Sequence, residues 1–352
     1  MLVGSAGHSR GVAAGEAGRG ATISGIGVYL PERVVTNDEL SLALDTSDEW
    51  IRQRTGITRR RLAADGQSAS TLAIPAGADA IKEADLEPGD IGLVIVASIS
   101  PDQTMPATAA RVAYALGAEN AGAVDLSAGC SGFIYALAMA SGLVQSGIQK
   151  HVLVVGAEAI SRILDWDDRS TAVLFGDAAG AVVVSPTYGP NRILGVDVGN
   201  DGSGADLLQI PAGGSRLPAS HQTVEDRLHY LKMNGREVYR FATRVVPRSA
   251  AQILARSGLA VSDVDLMVPH QANTRIIEAV ARRLGIGWER VFTNLEEYGN
   301  TSCASIPLCL LEARARGLVR EGSRILLLGF GAGLSWGSCL LRWGDPIGEE
   351  TT

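Results

Sequence analysis

Basic charge is in short supply in this 352-residue chain: 31 lysines and arginines stand against 38 acidic residues, a formal net charge of -7. A chain without a cationic excess argues against nucleic acid as its main partner, although it leaves room for a local basic patch. Cysteine is scarce too. Cys130, Cys303, Cys309 and Cys339 form no C-x-x-C pair and keep no zinc-type spacing with histidine, so neither a disulfide scaffold nor a metal site is expected. Aromatics make up only 5% of the chain against 42 glycines, so close approach of small residues replaces bulky aromatic packing. Residues 1–20 lack the apolar stretch of a secretory leader and read as a flexible tail. With scattered reduced thiols, that points to a cytoplasmic protein. A single uncharged run, 126–148, is long enough to span a bilayer. Its four glycines, its serines and Gln145 suit a helix wrapped in protein, so no membrane span is expected.

What is present is a layered pattern. Segments 91–100, 151–158, 179–185 and 324–330 are continuous apolar runs, as expected of strands covered on both faces, and they alternate with helical stretches. The fold class is therefore α/β. The chain also repeats itself. "ADLEPGDIGLVIVAS" (84–98) is similar to "SGLAVSDVDLMVPHQ" (257–271), and "VQSGIQKHVLVVG" (144–156) to "VREGSRILLLG" (319–329), both at an offset of 173 residues. Two halves, 21–190 and 191–345, followed by a tail at 346–352, would stack as a five-layer α-β-α-β-α arrangement about a pseudo-twofold axis.

Three residues are candidates for chemistry. Cys130, in "DLSAGCSGF", sits where a strand hands over to a helix, and a helix start favours thiolate and offers N–H groups to an oxyanion. A buried structural cysteine would fit the same position. His270 follows a strand-like run and a proline, at the strand end where open α/β folds place their sites; a structural histidine fits as well. Asn300 lies in a Gly-Asn turn before a helix, where a cap is the plain alternative. Taken together, a cysteine nucleophile and two neutral hydrogen-bond donors suit chemistry that passes through a thioester enolate.

The stretches "SDEWIRQRTGITRRR", "DLSAGCSGF", "DRSTAVLFGDAAGAVVV", "VPHQANTRII", "GNTSCAS" and "GFGAGLSWGS" resemble the β-ketoacyl-acyl carrier protein synthase III family of the thiolase superfamily, over residues 22–343. The resemblance implies that Cys130 takes an acyl group from acyl-CoA. His270 and Asn300 would then bind a malonyl-acyl carrier protein and stabilise the enolate formed on loss of CO2. The product would be a 3-oxoacyl-acyl carrier protein, in the initiating step of type II fatty acid synthesis. It further implies an oxyanion hole from the N–H groups of Cys130 and Gly333, and CoA contacts from Trp50, Arg54, Arg169 and Asn273. Carrier docking would fall to Gln271 and Arg275, with Arg282 and Arg283 at helical spacing. Met105 would close the acyl pocket of a partner subunit in a homodimer, where a methionine would admit primers larger than acetyl. No cofactor is implied.

Departures are minor. Cys303 stands where the family commonly has alanine, and "GCSG" replaces "ACAG"; neither removes a reacting group. Three rivals stay open from the residues alone. A papain-like cysteine hydrolase uses Cys, His and Asn in this order, but "C-G-S-C-W" is missing. A ketosynthase or acyltransferase of a specialised polyketide pathway is closer. Dinucleotide binding by "GFGAGLSWG" is weakest, since strand–turn–strand suits it better.

Overall fold

The computed structural model describes residues 18–348. Its first sheet is formed by β1 (Gly20–Tyr29), β2 (Leu93–Ala97), β3 (Gly122–Leu126), β4 (Val152–Glu158) and β5 (Ala178–Thr187), in the order β1-β5-β4-β2-β3. The second contains β6 (Ile193–Asn200), β7 (Leu266–Pro269), β8 (Arg324–Gly331) and β9 (Ser335–Arg342), in the order β7-β8-β9-β6. Read from β1, the first sheet runs β1-β5-β4-β2; read from β6, the second runs β6-β9-β8-β7. Each has two antiparallel pairings followed by one parallel pairing, so the two sheets share one topology. The repeat seen in the sequence is a repeat of this unit.

Seven helices position the site: α1 (Asp48–Thr55), α2 (Ala69–Glu83), α3 (Thr108–Leu116), α4 (Gly132–Gln145), α5 (Gly235–Arg256), α6 (Thr274–Leu284) and α7 (Ser305–Ala315). Helices α2 and α3 cover the outer face of the first sheet and α5 that of the second, with α6 packed against α5, while α4 and α7 touch both sheets. This is the five-layer arrangement expected. The central layer explains the uncharged run at 126–148: α4 buries Phe133, Ile134, Leu137, Ala140 and Val144 between two protein surfaces. No helix among the described residues is long and apolar enough to cross a membrane.

Local signals set the helix ends. Ser47 caps α1 through the N–H of Trp50, and Gly56 ends it at φ 85. Asn273 caps α6 through Arg275, and Gly285 ends it at φ 72. The expected tails need correcting. Residues 1–17 lie outside the described residues, but Gly20 already belongs to β1. The C-terminal segment is tied down as far as Ile347, whose C=O accepts from the N–H of Tyr188 at 2.9 Å and whose N–H donates to the Thr187 hydroxyl at 3.1 Å.

Small residues let the layers meet. A Cβ on Gly156 of β4 would come within 2.2 Å of the Cys303 carbonyl oxygen, and one on Gly180 of β5 within 2.6 Å of the Pro307 ring. Backbone packed this tightly has no room for a methyl group. Gly156→Ala is expected to destabilise the fold by about 1–3 kcal/mol, the usual cost of overpacking. Urea unfolding of the variant beside the parent chain measures it; an unchanged midpoint would contradict the packing described.

Candidate active site

Cys130 occupies an elbow between β3 and α4. Gly129 takes φ 56, the N–H of Gly132 closes onto the Gly129 carbonyl at 3.0 Å, and α4 begins two residues after the cysteine. The elbow interlocks with the turn between β8 and β9. A Cβ on Gly331 would lie 2.3 Å from the Cys130 backbone nitrogen, and one on Gly129 would lie 2.4 Å from that of Ala332. Glycine is required on both sides of that contact.

His270 directly follows β7, its N–H bonded to the Leu328 carbonyl at 2.7 Å. Asn300 is held by its own N–H on Leu174 (2.8 Å) and by the Gly176 N–H on its carbonyl (3.0 Å). Cys130, His270 and Asn300 line one cavity of about 680 Å3, with Phe330 edge-on to the imidazole at 5.5 Å. Elements from both halves of the chain therefore converge there.

The turn from Asn300 to Ser305 sets the orientation of these groups. The Asn300 Oδ1 accepts from the N–H of Ser302 at 2.9 Å, which leaves the amide NH2 for the cavity. The Ser305 hydroxyl meets His270 Nδ1 at 2.7 Å and the Ser302 carbonyl at 2.8 Å. It has one proton and two takers. Given to Nδ1, that proton leaves Nε2–H as a donor in the cavity; given to the carbonyl, it leaves Nε2 as an acceptor.

Burial favours the neutral forms of Cys130 and His270. It pushes the Cys130 thiol up to about 12, with the charge of Glu158 adding to the effect and the Ser302 hydroxyl opposing it. It pushes the His270 imidazole down to about 3. The activation expected from the start of α4 is therefore overridden: desolvation of the sulfur outweighs the N–H groups ahead of the helix. To act as a nucleophile the thiol would need a proton acceptor.

At the mouth of the cavity stand Arg54, Arg236, Arg240, Asn273 and Arg275. Beside Arg54, the Trp50 indole lies under two guanidinium groups, Arg169 at 4.7 Å and Arg54 at 5.7 Å from the ring centre. An indole face and guanidinium forks together suit a flat base and phosphate. Among the described residues no three His, Cys, Asp or Glu side chains gather as metal ligands.

Comparison with known proteins points to one family. Residues 124–202 match the family profile "3-Oxoacyl-[acyl-carrier-protein (ACP)] synthase III", and residues 254–343 match its C-terminal counterpart. The chain is 50% identical over 323 residues to the beta-ketoacyl-[acyl-carrier-protein] synthase III of Caldanaerobacter subterraneus subsp. tengcongensis, covering 92% of this chain and 98% of that one. It superimposes on the crystal structure of 3-oxoacyl-[acyl-carrier-protein] synthase III from Aquifex aeolicus VF5 with a TM-score of 0.85 at 44% identity, covering 92% of this chain and 100% of the other. The priming beta-ketosynthase of the R1128 polyketide pathway follows at 38% identity and TM-score 0.86, covering 96% of this chain and 100% of that one. The chain belongs to the β-ketoacyl-acyl carrier protein synthase III family. Its fold is the thiolase fold of that family.

Within this family framework some expected site residues stand elsewhere. Gln271 is 1% exposed, its amide bonded to the carbonyls of Pro269 and Phe292 and to the N–H of Asn294; a buried amide cannot dock a carrier. Gly333 does not line the cavity and lies against Asn200, whereas Gly331 does line it and Ala332 abuts Gly129. The second oxyanion donor expected at Gly333 is therefore not brought to the cavity; the Gly331–Ala332 end of the turn lies there instead. Asn273 spends both ends of its amide structurally, on Arg54 carbonyl and Arg275 N–H. Met105 is 84% exposed and does not line its own chain's cavity. Reading the sequence missed Glu158, Ser302 and Ser305. It also missed Arg236 and Arg240, which a spacing of four along α5 would have marked.

A thiol raised this far has a measurable consequence. Alkylation of Cys130 by iodoacetamide is expected to keep accelerating, about tenfold per pH unit, well past the range where an ordinary cysteine has levelled off near 8.5. A plateau at or below neutral pH, followed by mass spectrometry of the labelled peptide, would show that the thiolate is instead favoured at rest.

Proposed function

We propose that this chain condenses an acyl-CoA primer with a malonyl-acyl carrier protein, releasing CO2 and giving a 3-oxoacyl-acyl carrier protein, the initiating step of type II fatty acid synthesis. The observation that carries this reading is the convergence of a thiol, an imidazole and a carboxamide NH2 on one buried cavity. No cofactor is needed: the substrates are thioesters, and loss of CO2 supplies the carbanion.

The sulfur of Cys130 attacks the acyl thioester carbonyl, and the resulting oxyanion meets the N–H of Cys130 and that of Ala332, which abuts the elbow. CoA leaves and the acyl group stays on Cys130. With the Ser305 proton turned to Nδ1, the malonyl thioester places its carbonyl oxygen between the Asn300 NH2 and the His270 Nε2–H. As CO2 departs, negative charge moves onto that oxygen. A neutral imidazole donates a hydrogen bond to it without surrendering its proton, which is what a residue pushed down to about 3 can do across the working range. The enolate carbon attacks the acyl-cysteine and releases the thiolate.

The hydrolase reading is disfavoured by the same hydrogen bonds. In a Cys–His–Asn protease the asparagine orients the histidine, but here Asn300 Oδ1 is taken by Ser302 N–H and His270 Nδ1 by Ser305. The fatty acid pathway is preferred over a specialised one because the 50% identical relative is named a synthase III, whereas the polyketide enzyme stands at 38%.

The partners follow from charge and shape. Arg236, Arg240 and Arg244 recur every four residues on α5, and Arg275 and Arg282 stand exposed on α6 beside it, a basic rim suited to an acidic carrier protein. Arg283 and Arg275 each donate to a backbone carbonyl, of Thr243 and Gln53, and Arg240 also pairs with Glu237 at 2.7 Å. A second copy of this chain suits the open edge of β3, where Val124 is exposed, with Met105, Tyr114 and Met139 also exposed. In a homodimer Met105 would then close the partner's acyl pocket.

Mass spectrometry after incubation with a panel of acyl-CoAs is expected to find one acyl group on Cys130, discharged by malonyl-carrier with release of CO2. Cys130→Ala should abolish loading. His270→Ala and Asn300→Ala should still load, yet decarboxylate about 10²–10³-fold more slowly, the usual cost of one oxyanion donor. Peptidase activity without acyl loading would overturn the reading. Charge reversal at the rim, Arg240→Glu with Arg282→Glu, is expected to raise KM for malonyl-carrier about tenfold and to weaken its salt dependence, with little change in kcat. Equal losses with a carrier-free malonyl thioester would refute the docking role.

A further inference from the structure

The Trp50 indole carries guanidinium groups from two separate pieces of chain. Arg54 shares its helix, α1, while Arg169 opens the one-turn helix Arg169–Ala172. The first has eight residues and the second four, too few for either to hold its place through its own backbone. Their register is set from beneath.

Arg60 belongs to the short strand Arg59–Leu62, which pairs with Arg33–Thr36, and is 0% exposed. Its guanidinium donates to three oxygens, all of them neutral: Asn37 Oδ1 at 2.8 Å, the Val173 carbonyl at 2.8 Å and the Val35 carbonyl at 3.4 Å. Its Nε finds no partner among the described residues. Burial pushes the group down to about 10, which still leaves a cation at neutral pH. A buried cation without an acidic partner is costly, and an apolar side chain of like volume would serve the core better. The benefit lies in what its two arms hold.

The first arm ends on Asn37, itself 1% exposed. With Oδ1 taken by Arg60, the Asn37 NH2 faces α1 and donates to Asp48 Oδ1 and to the Ile57 carbonyl, both at 2.8 Å. Asp48 opens α1 and Ile57 follows its closing glycine, so one amide ties both ends of the helix that carries Trp50 and Arg54. An amide offers a donor side and an acceptor side; a guanidinium, which only donates, decides which of them turns toward the helix. The second arm ends on Val173, the residue directly after the Arg169 helix. Between the arms, the aliphatic stem lies against two glycines. A Cβ on Gly176 would come within 3.1 Å of the Arg60 Cβ, and one on Gly299 within 3.5 Å.

We propose that Arg60 is a positioning residue for the acyl-CoA nucleotide: its planar fork fixes the Trp50 helix against the Arg169 turn, so that the indole and its two guanidinium groups form one platform. This rests on the reading of acyl-CoA as the primer donor. Arg60 does not line the cavity and acts only through Asn37 and Val173. The fork matters as much as the charge. A lysine ammonium is a point donor that reaches one arm or the other, whereas a guanidinium spans both.

The test compares acetylation of Cys130 by acetyl-CoA and by acetyl-pantetheine, which offers the same thioester without the nucleotide. Arg60→Met keeps the stem against Gly176 and Gly299 and removes the fork. It is expected to raise KM for acetyl-CoA about tenfold with little change in the maximal rate, and to leave acetylation by acetyl-pantetheine at the parent rate. Arg60→Lys should fall between the parent and the methionine variant. Asp48→Ala cuts the first arm where it meets α1 and leaves Arg60 in place; it should raise the same KM in part, and it keeps the idea falsifiable if the methionine variant folds poorly. Equal losses with both thioesters, or an unchanged KM for acetyl-CoA in the variants, overturn the inference. A parent chain that accepts acetyl-pantetheine as readily as acetyl-CoA has no working nucleotide platform, which overturns the inference and leaves Cys130 as the acyl carrier. No acetylation by either thioester overturns the reading of Cys130, and this inference with it.

Discussion

Burial of the Cys130 thiol and the His270 imidazole without a compensating cation is the constraint on which the rest of this structure depends. A thiol pushed up to about 12 and an imidazole pushed down to about 3 share one cavity, and both follow from desolvation. Such a site favours reactions in which charge arises briefly and is met by aligned donors rather than by a fixed counter-ion. Decarboxylation to a thioester enolate is a reaction of that kind. So is acyl transfer between sulfurs, provided the proton has somewhere to go. The same low polarity that hinders thiolate formation also strengthens each hydrogen bond made to a developing oxyanion.

Reaching that degree of burial requires backbone to replace side chains at the seam. Glycines at 129, 331 and 156 let the Cys130 elbow, the β8–β9 turn and the Asn300–Ser305 turn touch directly. Each turn brings N–H and C=O groups that hydrogen-bond where a side chain would only have filled space. The Ser302 backbone fixes Asn300 and receives Ser305, which in turn fixes His270. A six-residue turn thus orients two of the three cavity groups. The abundance of glycine and the shortage of aromatics are two sides of this choice.

The sequence made the layered fold and the three central residues legible because both are written locally. Apolar runs without alternation mark strands covered on both faces, and the repeated spacing around Leu86–Leu93 and Leu259–Leu266 marks a duplicated unit. Cys130, His270 and Asn300 each stand where a strand or turn meets a helix, a position that can be read from a dozen residues. What stayed hidden depends on tertiary register. Gln271 adjoins His270 in the chain, yet the chain direction after β7 turns its amide inward onto Pro269 and Phe292. Gly333 misses the cavity by the two residues that separate it from Gly331, a difference only the turn geometry decides. Glu158 looked like the end of a buried strand, and only the fold sets its carboxyl among the donors of Ser98, Ile99 and Ser100. A charged residue closing a wholly apolar strand was the available signal.

Charge distribution shows why an acidic chain can still present a basic mouth. Coulomb interactions between exposed groups fade over about 8–10 Å at physiological salt, so a partner at the rim responds to the arginines within reach and hardly to the net charge of -7. Arg236, Arg240 and Arg244 lie along one face of α5, and the adjoining α6 contributes Arg275 and Arg282. Acidic residues distributed elsewhere keep the whole molecule anionic, which opposes indiscriminate binding to polyanions such as nucleic acid while leaving the rim attractive to a compact acidic protein. For a carrier docked at this rim as proposed, selectivity over other anions would come from depth: a long, flexible thioester arm reaches a sulfur that is buried inside.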